Sequence, residues 1–75
     1  MVRVENVRTV DASGNAVLDL QVSTVAELPA LGGYLPNSAR YKVAAGTIAQ
    51  VIQTGEWATL DTDGNWYNSD GSGVV

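Results

Sequence analysis

Residues 16–23 read as a strand that alternates strictly from Leu18 onward. Leu18, Leu20 and Val22 fall on one face; Asp19, Gln21 and Ser23 fall on the other. A period of two belongs to a β-strand with one face buried and one face wet. This strand constrains everything else, because it needs neighbours on its edges and apolar cover over one side. Eleven Val, six Leu and two Ile, with no Phe, dominate the apolar set of the 75-residue chain. Short β-branched runs separated by Gly, Asn and Asp read as strands joined by tight turns. At this length the chain is one domain, residues 1–75. The expected fold is all-β: a small antiparallel sandwich or barrel of hairpins.

Residues 2–10 (VRVENVRTV) alternate as a first strand, with a change of parity between Val4 and Val7. A bulge or bend near Asn6 accounts for that change. Asp11-Ala12-Ser13-Gly14-Asn15 has turn chemistry and closes an N-terminal hairpin over 2–23. Thr24-Val25-Ala26-Glu27 spells a capping box. Pro29 disfavours helix at Leu28, so one short helical turn is expected near 24–28. Residues 30–40 hold Gly32, Gly33, Pro36 and Asn37 and read as a loop, within a helical turn and loop segment of 24–46. Tyr34 and Leu35 are its candidate anchors, and Tyr41-Lys42-Val43 is a short extended piece.

A C-terminal meander is expected over 47–68. Residues 47–53 and 56–60 form a hairpin about a two-residue Thr54-Gly55 turn, and 65–68 add a third strand. Asp63-Gly64 fits the tip of a type I′ turn. Ser69 to Val75 is rich in Gly and Ser and is expected to be a flexible tail. The meander is apolar on both faces. Ile48 and Ile52 oppose Ala49 and Val51; Trp57 opposes Ala58 and Leu60; Trp66 opposes Tyr67. So small a chain has little material to cover both faces, and a large side chain left in water forgoes about 1.5–3 kcal/mol. One face is therefore expected to pack inside the protomer and the other against a neighbour.

Composition excludes several classes of function. The chain has no Cys and no His, which removes thiolate and imidazole metal sites, Ser-His-Asp chemistry and the usual general base. Ser13, Ser38 and Thr54 have no base to activate them. The net charge is −4, and residues 43–75 carry four acids and no base. No basic stripe exists for nucleic acid or for an anionic membrane. No apolar run approaches a membrane span of about 20 residues, and residues 1–5 carry no apolar signal core, so an unprocessed product is expected.

Asp61-x-Asp63-Gly64-Asn65 matches the start of a calcium loop, but position twelve is Ser72 and no Glu follows Glu56. A plain turn is the expectation, with no metal and no cofactor. Asp61, Asp63 and Glu56 are the only clustered carboxylates, and one small hairpin makes no cleft for paired acid-base work. No enzymatic activity is expected. Trp57, Trp66, Tyr34, Tyr41 and Tyr67 are candidates for an interaction surface or a sugar-stacking platform, with Leu35 beside Tyr34.

Three stretches carry a resemblance. The first is Val25-Ala26-Glu27-Leu28-Pro29. The second is Gly46-Thr47-Ile48-Ala49-Gln50-Val51-Ile52-Gln53-Thr54-Gly55-Glu56. The third is Leu60-Asp61-Thr62-Asp63-Gly64-Asn65-Trp66-Tyr67. Together they resemble a small β module of tailed-bacteriophage virion structural proteins. There a V-A-(D/E)-L-P turn precedes a G-x-x-A-x-V-I-x-T-G-E hairpin and an L-D-x-x-G-x-W-Y strand. The resemblance spans about residues 24–67, over half the chain. Its second hairpin strand often carries Tyr where this chain has Trp57-Ala58, and the hairpin 2–23 lies outside it. The resemblance implies a virion structural or accessory protein, made in the host cytoplasm and bound to other virion proteins of the capsid or tail. A homo-oligomer is also expected. Among virion roles, a capsid decoration or cement protein suits a chain of this size. The alternatives are a receptor- or glycan-binding tip of a head or tail fibre, and a β interaction domain with no phage role.

Overall fold

Leu18, Leu20 and Val22 do face inward, and the strand that carries them organises the molecule. A computed structural model describes residues 1–36 and 38–74; Asn37 of the expected loop and Val75 of the expected tail lie outside the described residues. The strands are β1 (Val2–Val10), β2 (Asn15–Val22), β3 (Tyr34–Leu35), β4 (Ser38–Val43), β5 (Ile48–Val51), β6 (Glu56–Leu60) and β7 (Trp66–Asn68). A 3₁₀ turn at Val25–Glu27 is the one helical element among the described residues. It stands where the capping box placed it, with the Glu27 carboxylate accepting from Thr24 N–H at 3.1 Å. All strands join one sheet in the order β3-β4-β2-β5-β6-β7, with β1 on the remaining edge of β2. The protein is all-β, as expected, and consistent with a small sandwich or barrel.

β1 and β2 form the expected N-terminal hairpin, and β1 is bulged twice. Register shifts fall between Val4 and Asn6 and between Val7 and Thr9. Each shift inserts one surplus residue, which re-aims the side chains that follow. Val2, Val4, Val7 and Val10 consequently stand opposite Val22, Leu20, Leu18 and Ala16, all four of them core residues of β2. The parity change in the sequence is thus cancelled by the backbone.

The sheet is mixed rather than purely antiparallel. β2 pairs in parallel with β4 through Asn15↔Lys42 and Ala16↔Val43. It pairs in parallel again with β5 through Asp19↔Ile48 to Val22↔Val51. Ala16 to Asp19 is three steps on β2, while Val43 to Ile48 is five on the facing strand. β4 and β5 therefore act as one long strand with two surplus residues at its middle. Gly46 allows the excursion, with φ of 94°. Buried Thr47 closes the gap it leaves. Its hydroxyl accepts from Leu18 N–H at 3.1 Å and donates to Ala16 C=O at 3.5 Å. Thr47→Val keeps the shape and strands a buried N–H, which costs about 1–3 kcal/mol. Urea unfolding of the variant against wild type measures it.

Parallel pairing demands a crossover, and the segment that follows β2 from Ser23 supplies it. The segment expected to be a loop over 30–40 holds β3 and the first half of β4. Gly32 N–H donates to Val43 C=O at 2.8 Å, and Val43 N–H donates to Gly33 C=O at 2.9 Å. Val25, Leu28 and Tyr41 pack against the core, and Leu35 belongs to it. The crossover is also tied across to β7. Trp66 donates its indole N–H to Pro29 C=O at 2.8 Å, and the residue is 7% exposed. From β5 to β7 the inward residues Ala49, Val51, Ala58, Leu60 and Trp66 complete the core.

Two turn expectations are corrected. The β5–β6 connection has four residues, Ile52 to Gly55, because Val51 pairs with Glu56 and Gly55 N–H reaches Val51 C=O at 2.8 Å. The Asp63-Gly64 tip is not type I′, which needs positive φ at both central residues. No described residue other than glycine has a positive φ.

One five-residue turn is instead used three times. Gly14 N–H donates to Asp11 C=O, Gly64 N–H to Asp61 C=O, and Gly71 N–H to Asn68 C=O, at 3.1, 3.0 and 2.9 Å. The bond closing each turn runs from Asp11, Asp61 and Asn68 N–H to Asn15, Asn65 and Ser72 C=O. The glycines have φ of 86°, 86° and 87°. This is the three-residue hairpin solution, in which a glycine in the left-handed region ends the turn. The third copy turns the expected tail back: Val74 N–H meets Trp66 C=O at 3.0 Å, and Val74 packs on the core.

Candidate functional site

The inward faces of β5, β6 and β7 are spent on the core, so their outward faces are what the meander presents. Strand register assembles this face into two rows. One runs Arg3–Gln21–Gln50–Trp57 across β1, β2, β5 and β6. The next runs Asn6–Asp19–Ile48–Thr59–Tyr67 and reaches β7. Ile52 follows Ile48 and Gln50 on the same parity. Trp57 is 49% exposed and Ile52 is 51% exposed. Trp57, half in water on the sheet, and Ile52, at the start of the β5–β6 connection, are large apolar side chains that the core does not use.

The polar members of this face are held in place. The Gln21 side-chain amide donates to Gln50 Oε1 at 3.3 Å. Arg8, redirected by the second bulge of β1, meets Asp19 at 2.7 Å. The Tyr67 hydroxyl donates to Asp63 Oδ2 at 2.6 Å. The face is therefore a set of fixed rows rather than a collection of free side chains.

The six residues expected at an interface divide. Trp57 and Tyr67 share the outward face and stand on adjacent rows. Tyr34 is exposed, but on β3, opposite Lys42 and away from the meander. Tyr41 is half-buried on the core, with the Arg40 guanidinium 5.5 Å from its ring centroid. Leu35 and Trp66 are core residues, and their assignment to an interface is corrected. Leu35 is drawn inward because the loop that was to expose it is a strand. Trp66 is drawn inward because Pro29 offers a carbonyl to its indole. Gln21, Gln50 and Ile48 escaped selection as site residues. Their signal was parity alone, since each lies on the wet side of a strand whose other side is core.

Carboxylates crowd the turns beside this face. Asp63 is held below the ordinary aspartate value by the Tyr67 hydroxyl first and by Asn65 N–H second. Asp11 is lowered by the Asn15 side chain and backbone, and Asp70 by the Ser72 hydroxyl and N–H. Tyr67 is raised, chiefly because its proton is shared with Asp63. The signs follow from linkage. A depressed carboxyl contributes stability above its unfolded pKa, and that stability is lost as pH falls through the folded value. A raised phenol contributes below its unfolded pKa and loses that contribution as pH rises through the folded value. The urea midpoint is thus expected to fall below about pH 4 and again above about pH 10. Tyr67→Phe flattens the alkaline limb. A midpoint unchanged down to pH 2 contradicts this assignment.

A hollow of about 620 Å³ opens next to Tyr67, bordered by Thr59, Asp61, Thr62, Gly46 and Gly71. Its size lies within the range of small-molecule sites. No group of three or more acidic, His or Cys side chains that would hold a metal ion occurs among the described residues. The Asp61 and Asp63 carboxylates instead accept Thr62 and Asn65 N–H at 2.7 and 2.8 Å. No helix among the described residues is long and apolar enough to cross a membrane. No protein-family model, curated protein or solved structure matches this chain.

Proposed function

We propose that this chain is a non-enzymatic structural protein of a tailed-bacteriophage virion, a capsid decoration or cement protein that works through contacts with other virion proteins and with copies of itself. The observation that carries the reading is the division of the meander. One face is sealed in the core, and the other offers Trp57, Ile48 and Tyr67 on rows set by strand register, with exposed Ile52 at the end of β5. Exposed apolar groups of this kind, rimmed by polar residues, are what protein docking sites present. The resemblance of residues 24–67 to a phage virion module supplies the biological setting.

A second reading has its own observation. The hollow beside Tyr67 adjoins Thr59, Asp61 and Thr62, and Trp57 stands on the next row. Aromatic faces with nearby hydroxyls and carboxylates suit a glycan, as on a fibre tip. Counting copies in purified particles of the encoding phage by quantitative mass spectrometry separates the two. Copies comparable to the shell subunits support decoration. A handful per particle supports a fibre tip. Absence from the particle overturns both.

A further inference from the structure

We infer that β1 is a self-pairing edge: two copies of this chain join antiparallel through β1, with Val7 on the two-fold axis. The inference deepens the homo-oligomer part of the reading above and uses a different surface from the outward meander face.

β1 has one strand partner, β2, among the described residues, so its other edge faces solvent. Its inward valines are also incompletely covered. Val4 is 36% and Val10 47% exposed, and Val7 is half-buried on the core. Edges are commonly protected by bulges and charges, and β1 has both. That protection selects among partners. An unbulged strand lacks the surplus residues of β1 and loses register at both shifts, as β2 does at Glu5 and Arg8. A second β1 run antiparallel carries one surplus residue in each facing interval: Glu5, between Val4 and Val7, lies across from the interval that holds Arg8, between Val7 and Val10. Val4 to Val7 and Val7 to Val10 are each three steps, so the strand is a palindrome about Val7 in its inward residues.

Antiparallel pairing about that centre sets Val4 opposite Val10 of the second copy and Val7 opposite Val7. Glu5 then faces Thr9, and Asn6 faces Arg8. Arg3, which meets Glu5 of its own strand at 3.4 Å, faces Asp11 just past the end of β1, and this opposite-charge juxtaposition occurs twice. Apolar and opposite-charge pairs directly across a ladder are stabilising. Other registers lose these pairs. A slip of one residue in one direction puts Val7 opposite Asn6; in the other it puts Val7 opposite Arg8. A slip of three in one direction restores a Val4–Val7 pair but opposes Arg3 to Arg8; in the other it pairs Val7 with Val10 and leaves Val4 opposite Ser13, past the end of the strand. The two-fold interface is isologous, so every pair off the axis is made twice and the Val7–Val7 pair once. One edge and three valines per copy make a small interface, so the dimer belongs to concentrated protein or to a crowded shell.

The chain has no cysteine, so an engineered thiol has only its own copy to meet. Residues directly opposite in an antiparallel pair lie within disulfide reach. Under mild oxidation of concentrated protein, V7C is expected to give a covalent dimer. V4C alone is expected to stay monomeric, while V4C mixed with V10C cross-links between the two. Wild type is expected to sediment as a dimer near millimolar concentration, and Trp57→Ser to dimerise equally well. Three results overturn the inference: cross-linking of V4C with itself in preference to V7C, loss of the dimer in Trp57→Ser, or a wild-type monomer at every concentration. The second keeps the homo-oligomer but moves it to the meander face. The third removes self-association while leaving virion docking to be judged by particle copy number.

Discussion

Trp66→Ala is expected to lower the unfolding free energy by about 3–5 kcal/mol. The loss is a large part of the total, since a domain of this size holds about 4–11 kcal/mol at ordinary stability per residue. Trp66 is the one aromatic ring in the core cluster, and it lies between β7 and the crossover. Removing it opens a cavity and also leaves Pro29 C=O without its donor. Each kcal/mol moves the melting temperature by about 4–8 °C in a domain this small, so the variant melts at least about 12 °C below wild type. Trp66→Phe separates the two effects. It retains most of the ring and loses the hydrogen bond, and its deficit is expected to be smaller, about 1–3 kcal/mol. Calorimetry of the three proteins measures both terms. A Trp66→Ala protein that melts with wild type would place the ring outside the core.

Trp57→Ser is expected to do the opposite. Its effect on stability is within about 0.5 kcal/mol, as for surface positions away from caps and buried bonds. Its effect on docking is large. A buried Trp at the centre of an interface typically contributes 2 kcal/mol or more, which is about thirtyfold in affinity. The two tryptophans lie nine residues apart, on neighbouring strands of one meander. They are expected to affect different properties because β6 and β7 present them to opposite sides of the sheet.

That opposition was legible in the sequence. Period-two parity placed Ala58 and Leu60 against Trp57, and Trp66 against Tyr67, and the burial of each follows it. The Leu18–Leu20–Val22 face, the bulge near Asn6 and the capping box at Thr24 were legible for the same reason. Each is a local signal whose cause lies within a few residues. What parity does not carry is which strands become neighbours. The parallel seating of β4 and β5 on β2 is non-local, and it turned an expected loop into β3 and β4. Leu35 changed sides with it. Trp66 was assigned to an interface because nothing near it in the chain announces Pro29, thirty-seven residues away, as its acceptor.

The three glycine turns could have been read earlier. D-A-S-G-N, D-T-D-G-N and N-S-D-G-S share one spacing, an Asp or Asn three residues before the glycine and Asn or Ser after it. The pattern escapes a search for long repeats because it repeats a turn, not a domain. Asp11, Asp63 and Asp70 spend their oxygens on the N–H and hydroxyl groups of their own turns.

The central claim is that the meander folds with one face and docks with the other. The most direct measurement is particle occupancy of Trp57→Ser relative to wild type in purified virions of the kind the proposed function assigns, with melting temperature measured on the same two proteins. The account predicts that occupancy falls at least about tenfold, consistent with the loss of a Trp hot spot, while the melting temperatures agree. Wild-type occupancy by a folded Trp57→Ser protein would contradict it.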